Sequence, residues 1–472
     1  MKIKLCNLRS VQDVLWYQWI GSIGVMLALT ISGIMAGMFS PLIAQLTADN
    51  SPLRMTSSEI SWMTSSWGVA AAVGAILGSF VAVPYFGSKM TLVVTSIPFG
   101  VSWILLILAD SPAWIHSMVI VHGLGLGLGI MSFPIYVGEV ATSASRGTFV
   151  NFAGNGPIIG SLMGNLLTTN LSTTLCGLSF LAPTILYVIL LLSVPESPYH
   201  LISTKQFDKA KESIMKYNPK VSVNEEFLSI KEFIASSSTI TFCDQLREFK
   251  SQQQKKFEII IILLLLFVQF GGVQPILFYN ENILTKGGVN VMKPSLVVTL
   301  STAISIVAGW IFVDLVDRLG RRLLWIIAAA GSCLCMLAVG IRFSLLGTAY
   351  DMDALQWLPI FSILFWRIFV HSGLVAVAHI YQSELLSPNI KTLGICVGNI
   401  CSGIFATIAN TGYQPLIDNL GYDSVFYTFA AFMALAVIFG CTSLPETKGK
   451  SLQEIQNMQI NQLGMVGVVD RS

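Results

Sequence analysis

Apolar residues recur along the chain in stretches of about 20, the length a helix needs to cross the hydrocarbon core of a bilayer. Such stretches lie at 19–42, 60–83, 90–109, 114–138, 147–169 and 176–194. A second set lies at 257–280, 294–316, 323–342, 357–384, 392–414 and 423–444. Between the sets the chain turns polar, from KQFDKAKESIMKYNPK to SQQQKKFE, with the spacing of short amphipathic helices. The pattern predicts an all-α membrane protein with twelve transmembrane helices. Residues 1–195 form a six-helix half, 196–256 a cytoplasmic helical linker, 257–445 a second six-helix half and 446–472 a cytoplasmic tail.

Composition agrees with that pattern. Hydrophobic residues make up 54% of the 472 and charged residues 11%, against roughly 25% charged in soluble domains. The net charge of +2 is too small for a nucleic-acid partner, and no basic cluster is interleaved with aromatics. The eight cysteines fall on helical stretches or the cytoplasmic side, apart from Cys176 near an outer helix end, and give no disulfide framework. Lys2, Lys4 and Arg9 lead into a full-length apolar span, so the first helix is expected to be its own insertion signal. With the N-terminus in the cytoplasm, 22 of the 27 Lys and Arg lie on the cytoplasmic side. Arg54, Lys286, Lys293 and Arg342 are left outside, and Arg367 within a span. Asn170-Leu171-Ser172 then lies outside as a candidate glycosylation sequon, although one this close to a membrane helix is more often unused.

The two halves repeat one another in their punctuation. PYFGSK (Pro84 to Lys89) follows the second span and DRLGRR (Asp317 to Arg322) the eighth. Glu139 precedes Arg146 by seven residues after the fourth span, as Glu384 precedes Lys391 after the tenth. The sixth and twelfth spans end in Pro195-Glu196-Ser197 and Pro445-Glu446-Thr447. A general excess of basic residues in cytoplasmic loops predicts the sign of the charge but not equal spacing, so the halves are expected to be structural repeats. Duplicated bundles of this kind place a substrate site near the bilayer midplane between the repeats.

Several of these segments carry a resemblance. PIYVGEV (Pro134 to Val140) with Arg146-Gly147, PESPYHL (Pro195 to Leu201), VDRLGRR (Val316 to Arg322) and PETKGKSLQEI (Pro445 to Ile455) resemble the signatures of the sugar porter family of the major facilitator superfamily. GMFSP (Gly37 to Pro41), Ser61-Trp62 and QFGGVQPILFY (Gln269 to Tyr279) are most similar to the insect facilitated trehalose and glucose transporters. The resemblance implies the major facilitator fold and a plasma-membrane protein that carries a sugar by alternating access. It implies no cofactor, no metal and no obligate protein partner beyond the lipid bilayer.

Physical reasons stand beside the motifs. At the cytoplasmic helix ends, Glu139, Arg146, Asp317, Arg318, Arg321, Arg322, Glu384, Lys391, Glu196 and Glu446 are candidates for a gate of cross-helix ion pairs. Such a network would favour the state in which the inner ends are together. The simpler alternative is topology anchoring by solvated charge, which accounts for Lys and Arg but not for Glu. An uncharged polyol needs donors and acceptors on a water-lined face, and carboxamides supply both without a buried charge. Gln269 and Gln274 on the seventh span meet that need, though polar groups there also bridge helices. The resemblance implies that Gln269 matches a sugar-contacting glutamine, that Gln274 stands for the family's asparagine, and that Phe278 and Tyr279 are the aromatic pair on the outer side of the sugar. Asn151, Asn155 and Ser305 are further candidates.

Departures from the family pattern alter the expectation. Pro84 and Ser88 stand where the family has an aspartate and an arginine, and Val119 where it has another arginine, which thins the first half of the gate. Val375 to His379 replaces a Gly-Pro-x-Pro-Trp run, so the tenth helix is expected to be straighter and stiffer. That helix also carries Arg367, His371 and His379 within about 120° of its circumference. An arginine in hydrocarbon must face a cavity or an acid. The stripe is either a set of helix-bridging groups or part of the pathway. Residues 19–42 contain no acid, which points to downhill transport, and no nucleotide-binding loop is present. No nucleophile or metal-ligand constellation indicates an enzyme. The chain is therefore expected to be a facilitative sugar transporter. A non-transporting sugar sensor and a carrier of a non-sugar solute are the alternatives.

Overall fold

In lipid every backbone N–H and C=O must find its partner within the chain, so a series of apolar stretches is bound to form helices unless it closes into a barrel. The computed structural model describes residues 16–48, 51, 53–142, 146–219, 221–237, 247–249, 251–348, 353–386 and 390–448, and their regular structure is helical. Six spans come first: α1 (Trp16–Thr47), α2 (Ser57–Leu77, prolonged by a π turn Gly78–Ala82), α3 (88–107), α4 (Pro112–Val140), α5 (Arg146–Gly154 and Gly156–Asn170) and α6 (Thr173–Ser193). Three short helices follow, α7 (Pro198–Ser203), α8 (Phe207–Tyr217) and α9 (Val223–Ser237). Six further spans complete the chain. They are α10 (Gln252–Phe270 and Val273–Lys286), α11 (Pro294–Leu319), α12 (Arg321–Leu345), α13 (Trp357–Phe369, a π turn Val370–Leu374, and Val375–Glu384), α14 (391–420) and α15 (422–442).

Eight helices among the described residues are long and apolar enough to cross a membrane when bends are ignored. Two of them hold two spans each, joined at Gly87 and at Gly421. With α5 and α11 the twelve crossings are accounted for. The halves meet along α2 and α14, along α1 and the second part of α10, and along α5 and α11. Within the first half, α2 and α4 approach closely because Gly127 faces the backbone of α2. A Cβ there would stand 2.1 Å from the Ala71 carbonyl oxygen. Gly123 likewise faces α2, where its Cβ would stand 2.8 Å from the Trp67 carbonyl oxygen, so these glycines of the fourth span are packing positions.

Three spans that read as uninterrupted are broken. α10 breaks at Gly271-Gly272, where Gly272 has φ +81°, and α5 at Asn155, two residues before Pro157, which has no N–H to donate. α13 lacks the family's prolines and does continue through Val375–His379. It is nevertheless not regular, because the π turn Val370–Leu374 precedes that run. A wide turn of this kind loosens a helix without proline and recurs at functional positions.

The punctuation of the two halves is repeated in three dimensions. Gly87 and Gly320 adopt the same backbone conformation, φ +82° and ψ 164° against φ +85° and ψ 165°. After Gly320, Glu446 accepts the backbone N–H groups of Arg321 and Arg322, both at 3.1 Å, which caps the first turn of α12. Arg321 also donates to Glu384 at 3.0 Å, and the Thr447 hydroxyl donates to the other oxygen of Glu384 at 2.6 Å. In the first half the position of Arg321 is taken by Ser88, whose hydroxyl donates to Glu139 at 2.5 Å. Tyr381 donates to the Pro445 carbonyl at 2.7 Å. Its counterpart Tyr136 reaches the matching Pro195 only through Tyr217, which lies 3.1 Å from Tyr136 and donates to Pro195 at 2.7 Å. Arg322 donates to the Gly440 carbonyl at 3.0 Å and to that of Cys441. The pairs seen are therefore within each half, on the side of the linker helices. The side chains of Arg146, Asp317 and Lys391 lie outside the described residues.

Two outcomes follow from this side of the fold. Gly320→Ala is expected to cost about 1–3 kcal/mol, because an L side chain there is strained and its Cβ would stand 2.7 Å from the Glu446 carboxylate. A melting temperature equal to the parent's in detergent would remove the constraint. In a double-mutant cycle, Arg321→Gln and Glu384→Gln are expected to be non-additive, with the double variant melting no lower than the worse single; additive shifts would show that the pair contributes nothing.

Candidate substrate site

A cavity of about 440 Å³ lies between the halves, at the middle of α1 and at the break of α10. Its walls are largely apolar, from Leu29, Ala36 and Trp67 to Phe133 and Ile158. Against that background a few polar side chains converge: Gln269, Gln274, Arg367, His371, Asn399 and Ser402. An apolar chamber with a few placed polar groups is the usual form of a small-molecule site.

The break in α10 supplies the two glutamines. Gln269 ends its first part and Gln274 opens the second, so Gly271-Gly272 turns both toward the cavity. Gln269 donates to the Ser402 hydroxyl at 3.0 Å, while its carbonyl oxygen is buried without a partner. The carbonyl oxygen of Gln274 accepts from Asn410 at 3.2 Å. One amide thus keeps an open acceptor, and the other is oriented by a neighbour on α14.

Arg367 faces the same space from α13. Its side chain is held by two hydroxyls of α11, with Nε donating to Ser305 at 2.9 Å and Nη2 to Thr302 at 3.3 Å. Ser305 is fully buried beneath the arginine and does not line the cavity. His371 sits one turn on, within the π turn, and its Nε2 is buried without a hydrogen-bond partner. His379 lines the cavity nearer the linker side, exposed to it, with Nδ1 3.0 Å from the Gln382 side-chain oxygen. All three residues of the stripe line the cavity, and Arg367 also bridges α13 to α11.

Phe278 and Tyr279 stand elsewhere, on the side away from the linker. Phe278 packs against Phe39 with ring centroids 4.3 Å apart and against Trp67 at 5.5 Å. Tyr279 packs against Tyr413 with ring centroids 4.7 Å apart and tilted by 34°, and meets the Thr64 hydroxyl at 3.5 Å. Ser65 and Thr411 bond at 2.7 Å, Thr299 donates to Asn165 at 2.7 Å, and the Glu281 N–H donates to Ser40 at 3.0 Å. Apart from the Tyr279–Tyr413 pair, which lies within the second half, each of these contacts joins one half to the other, so they form a lid over the cavity on that side.

The remaining candidates are dispersed. Asn155 is half-buried at the break of α5, beside the cavity-lining Gly154 and Pro157, and the side chain of Asn151 is outside the described residues. Asn170 is exposed at the end of α5 away from the linker, its amide donating to the Leu166 carbonyl at 2.7 Å. Ser172 of the same sequon caps α6 by accepting from Leu175. Sequence reasoning passed over Trp67, Asn399, Ser402 and Asn410. The last three recur at helical spacing on one face of α14, and that stripe of polar residues in an apolar span was the available signal.

Known proteins share both the sequence and the shape. The chain is 26% identical over 449 residues to the facilitated trehalose transporter Tret1 of Bombyx mori, covering 94% of this chain and 86% of that one. It is 30% identical over 445 residues to the sugar transporter ERD6-like 6 of Arabidopsis thaliana, covering 90% and 87%. Its fold matches the partially occluded, inward-open form of the xylose transporter XylE from E. coli with a TM-score of 0.75, at 20% identity over 92% of this chain and 99% of that one. A second match, with a TM-score of 0.72 and 20% identity over 95% and 99% of the two chains, is the major facilitator superfamily proton:xylose symporter XylE bound to 6-bromo-6-deoxy-D-glucose. The sequence model described as sugar (and other) transporter matches residues 20–459, nearly the whole chain, and this membrane protein belongs to that family.

Proposed function

We propose that the chain carries a sugar such as trehalose or glucose downhill across the plasma membrane by alternating access. The observation that carries the reading is the break in α10, which brings Gln269 and Gln274 to one chamber between the halves and leaves a buried carbonyl oxygen of Gln269 unpartnered. A sugar hydroxyl can donate to that oxygen, and a buried acceptor left empty is costly. The names of the relatives point to the same substrate class. The linker side is taken as cytoplasmic because Lys and Arg concentrate there, with both termini on that side.

In this reading the lid around Phe39, Trp67 and Phe278 is the outer gate, shut in the structure. The Arg321–Glu384–Thr447 and Ser88–Glu139 groups brace the inner helix ends of each half, so the halves move as bodies. Coupling to protons needs a titratable group within the membrane, and α1, where the resemblance places an aspartate in proton-driven members, contains no acid.

Purified chain in proteoliposomes is expected to take up at least one of radiolabelled trehalose, glucose or fructose. Gln269→Ala is expected to lower the initial rate about tenfold, the equivalent of roughly 1.4 kcal/mol. An uncoupler at clamped voltage is expected to leave uptake unchanged. Uptake by Gln269→Ala at the parent's rate would remove the site, uptake abolished by the uncoupler would remove the downhill mechanism, and binding of sugar without flux would make the chain a sensor.

A further inference from the structure

Arg367 is the feature of the cavity that a neutral sugar does not account for. It is 4% exposed, in the middle of a membrane helix, and it lines the chamber rather than the lipid. A guanidinium keeps its charge and is expensive to bury without a counter-ion. The ion pairs formed among the described residues, Lys216–Glu212 and Arg321–Glu384, do not include it. Its partners are the uncharged hydroxyls of Ser305 and Thr302. The carboxylates of α10, Glu258 and Glu281, do not line the cavity. His371 and His379 are neutral or positive and cannot balance it.

The geometry of the guanidinium adds a second constraint. Arginine has five N–H donors. Nε is used on Ser305 and one N–H of Nη2 on Thr302, which leaves both N–H groups of Nη1 and one of Nη2. One from each Nη makes up the end of the fork, the edge that meets a carboxylate at two points. Ser305 and Thr302 thus hold the group by its side and leave the bidentate edge unused. In the lining of the same cavity, His371 Nε2 and the Gln269 carbonyl oxygen are buried and unpartnered. One positive charge, one free fork and two unsatisfied neutral groups converge on a chamber of about 440 Å³.

We infer that the preferred substrate is a sugar bearing a carboxylate, a uronate, whose acid group is held by Arg367 while its hydroxyls meet Gln269, Gln274 and His371. The inference rests on the sugar reading above and specifies it. A carboxylate carries the single negative charge that neutralises the site. A phosphate monoester carries nearly two and would leave part of its charge unpaired in the same enclosure.

The test is equilibrium binding of radiolabelled D-glucuronate and D-glucose to the purified full chain in detergent, with succinate as a competitor that has carboxylates but no sugar ring. Glucuronate is expected to bind at least about tenfold more tightly than glucose, and succinate weakly. Arg367→Gln is expected to bring the glucuronate-to-glucose ratio to within about twofold of unity, with Arg367→Lys in between, because an ammonium keeps the charge without the fork. If Arg367→Gln does not fold, the ratio in the parent chain decides alone. Glucose bound as tightly as glucuronate overturns the inference and leaves the sugar reading in place. Succinate bound as tightly as glucuronate, with no binding of glucose, overturns both. An undiminished ratio in Arg367→Gln removes Arg367 as the acid's partner.

Discussion

The structure depends on one constraint, that a polar side chain inside the hydrocarbon must find protein or water instead of lipid. Apolar surface can face lipid or another helix almost equally, so it does not by itself say which way a span is turned. The few polar groups do. Gln269, Gln274, Arg367, His371, Asn399 and Ser402 come from three different spans, and all turn toward the same space between the halves. Around them close contacts such as that of Gly127 with the backbone of α2 set how near the helices stand.

Much of this was legible in the sequence because the relevant signals are local. Span length, the excess of basic residues on one side and the recurring PYFGSK and DRLGRR turns need no tertiary information. The glycine of each turn, Gly87 and Gly320, proves to be its fixed point, with a left-handed φ that few other residues tolerate. The interruptions were less legible. Gly271-Gly272 and Pro157 are visible as residues, but whether a helix bends or breaks there depends on the neighbours that satisfy the freed backbone groups. The π turn in α13 leaves no sequence mark at all, and the absence of proline argued against it. The hydroxyls beneath Arg367 were missed as such. Ser305 stood out as a sugar ligand, and only the packing of α11 on α13 reveals it as the arginine's support.

The halves share a plan but not a chemistry. In the second half the helix ends on the linker side are tied by charge, with Glu384 between Arg321 and Thr447 and Glu446 capping α12. In the first half a serine stands where the arginine would be, and the ties run through the hydroxyls of Ser88 to Glu139 and of Tyr136 by way of Tyr217 to Pro195, with the Lys89 ammonium donating to the Val194 carbonyl at 2.7 Å. The Arg321–Glu384 ion pair weakens with salt, whereas Ser88 brings no charge to Glu139. Two bodies of the same shape are therefore braced with different sensitivity to their surroundings.

Tyr217, at the end of α8, has a part beyond its place in a surface helix. Its carbonyl receives the amide of Gln18 at the base of α1 at 2.8 Å, and its hydroxyl stands between Tyr136 of α4 and Pro195 after α6. One residue of the polar linker thereby pins three membrane helices at their feet. The linker is in this respect a buckle on the first bundle, and whatever pulls on α8 is felt at once by α1 and α4, which line the chamber.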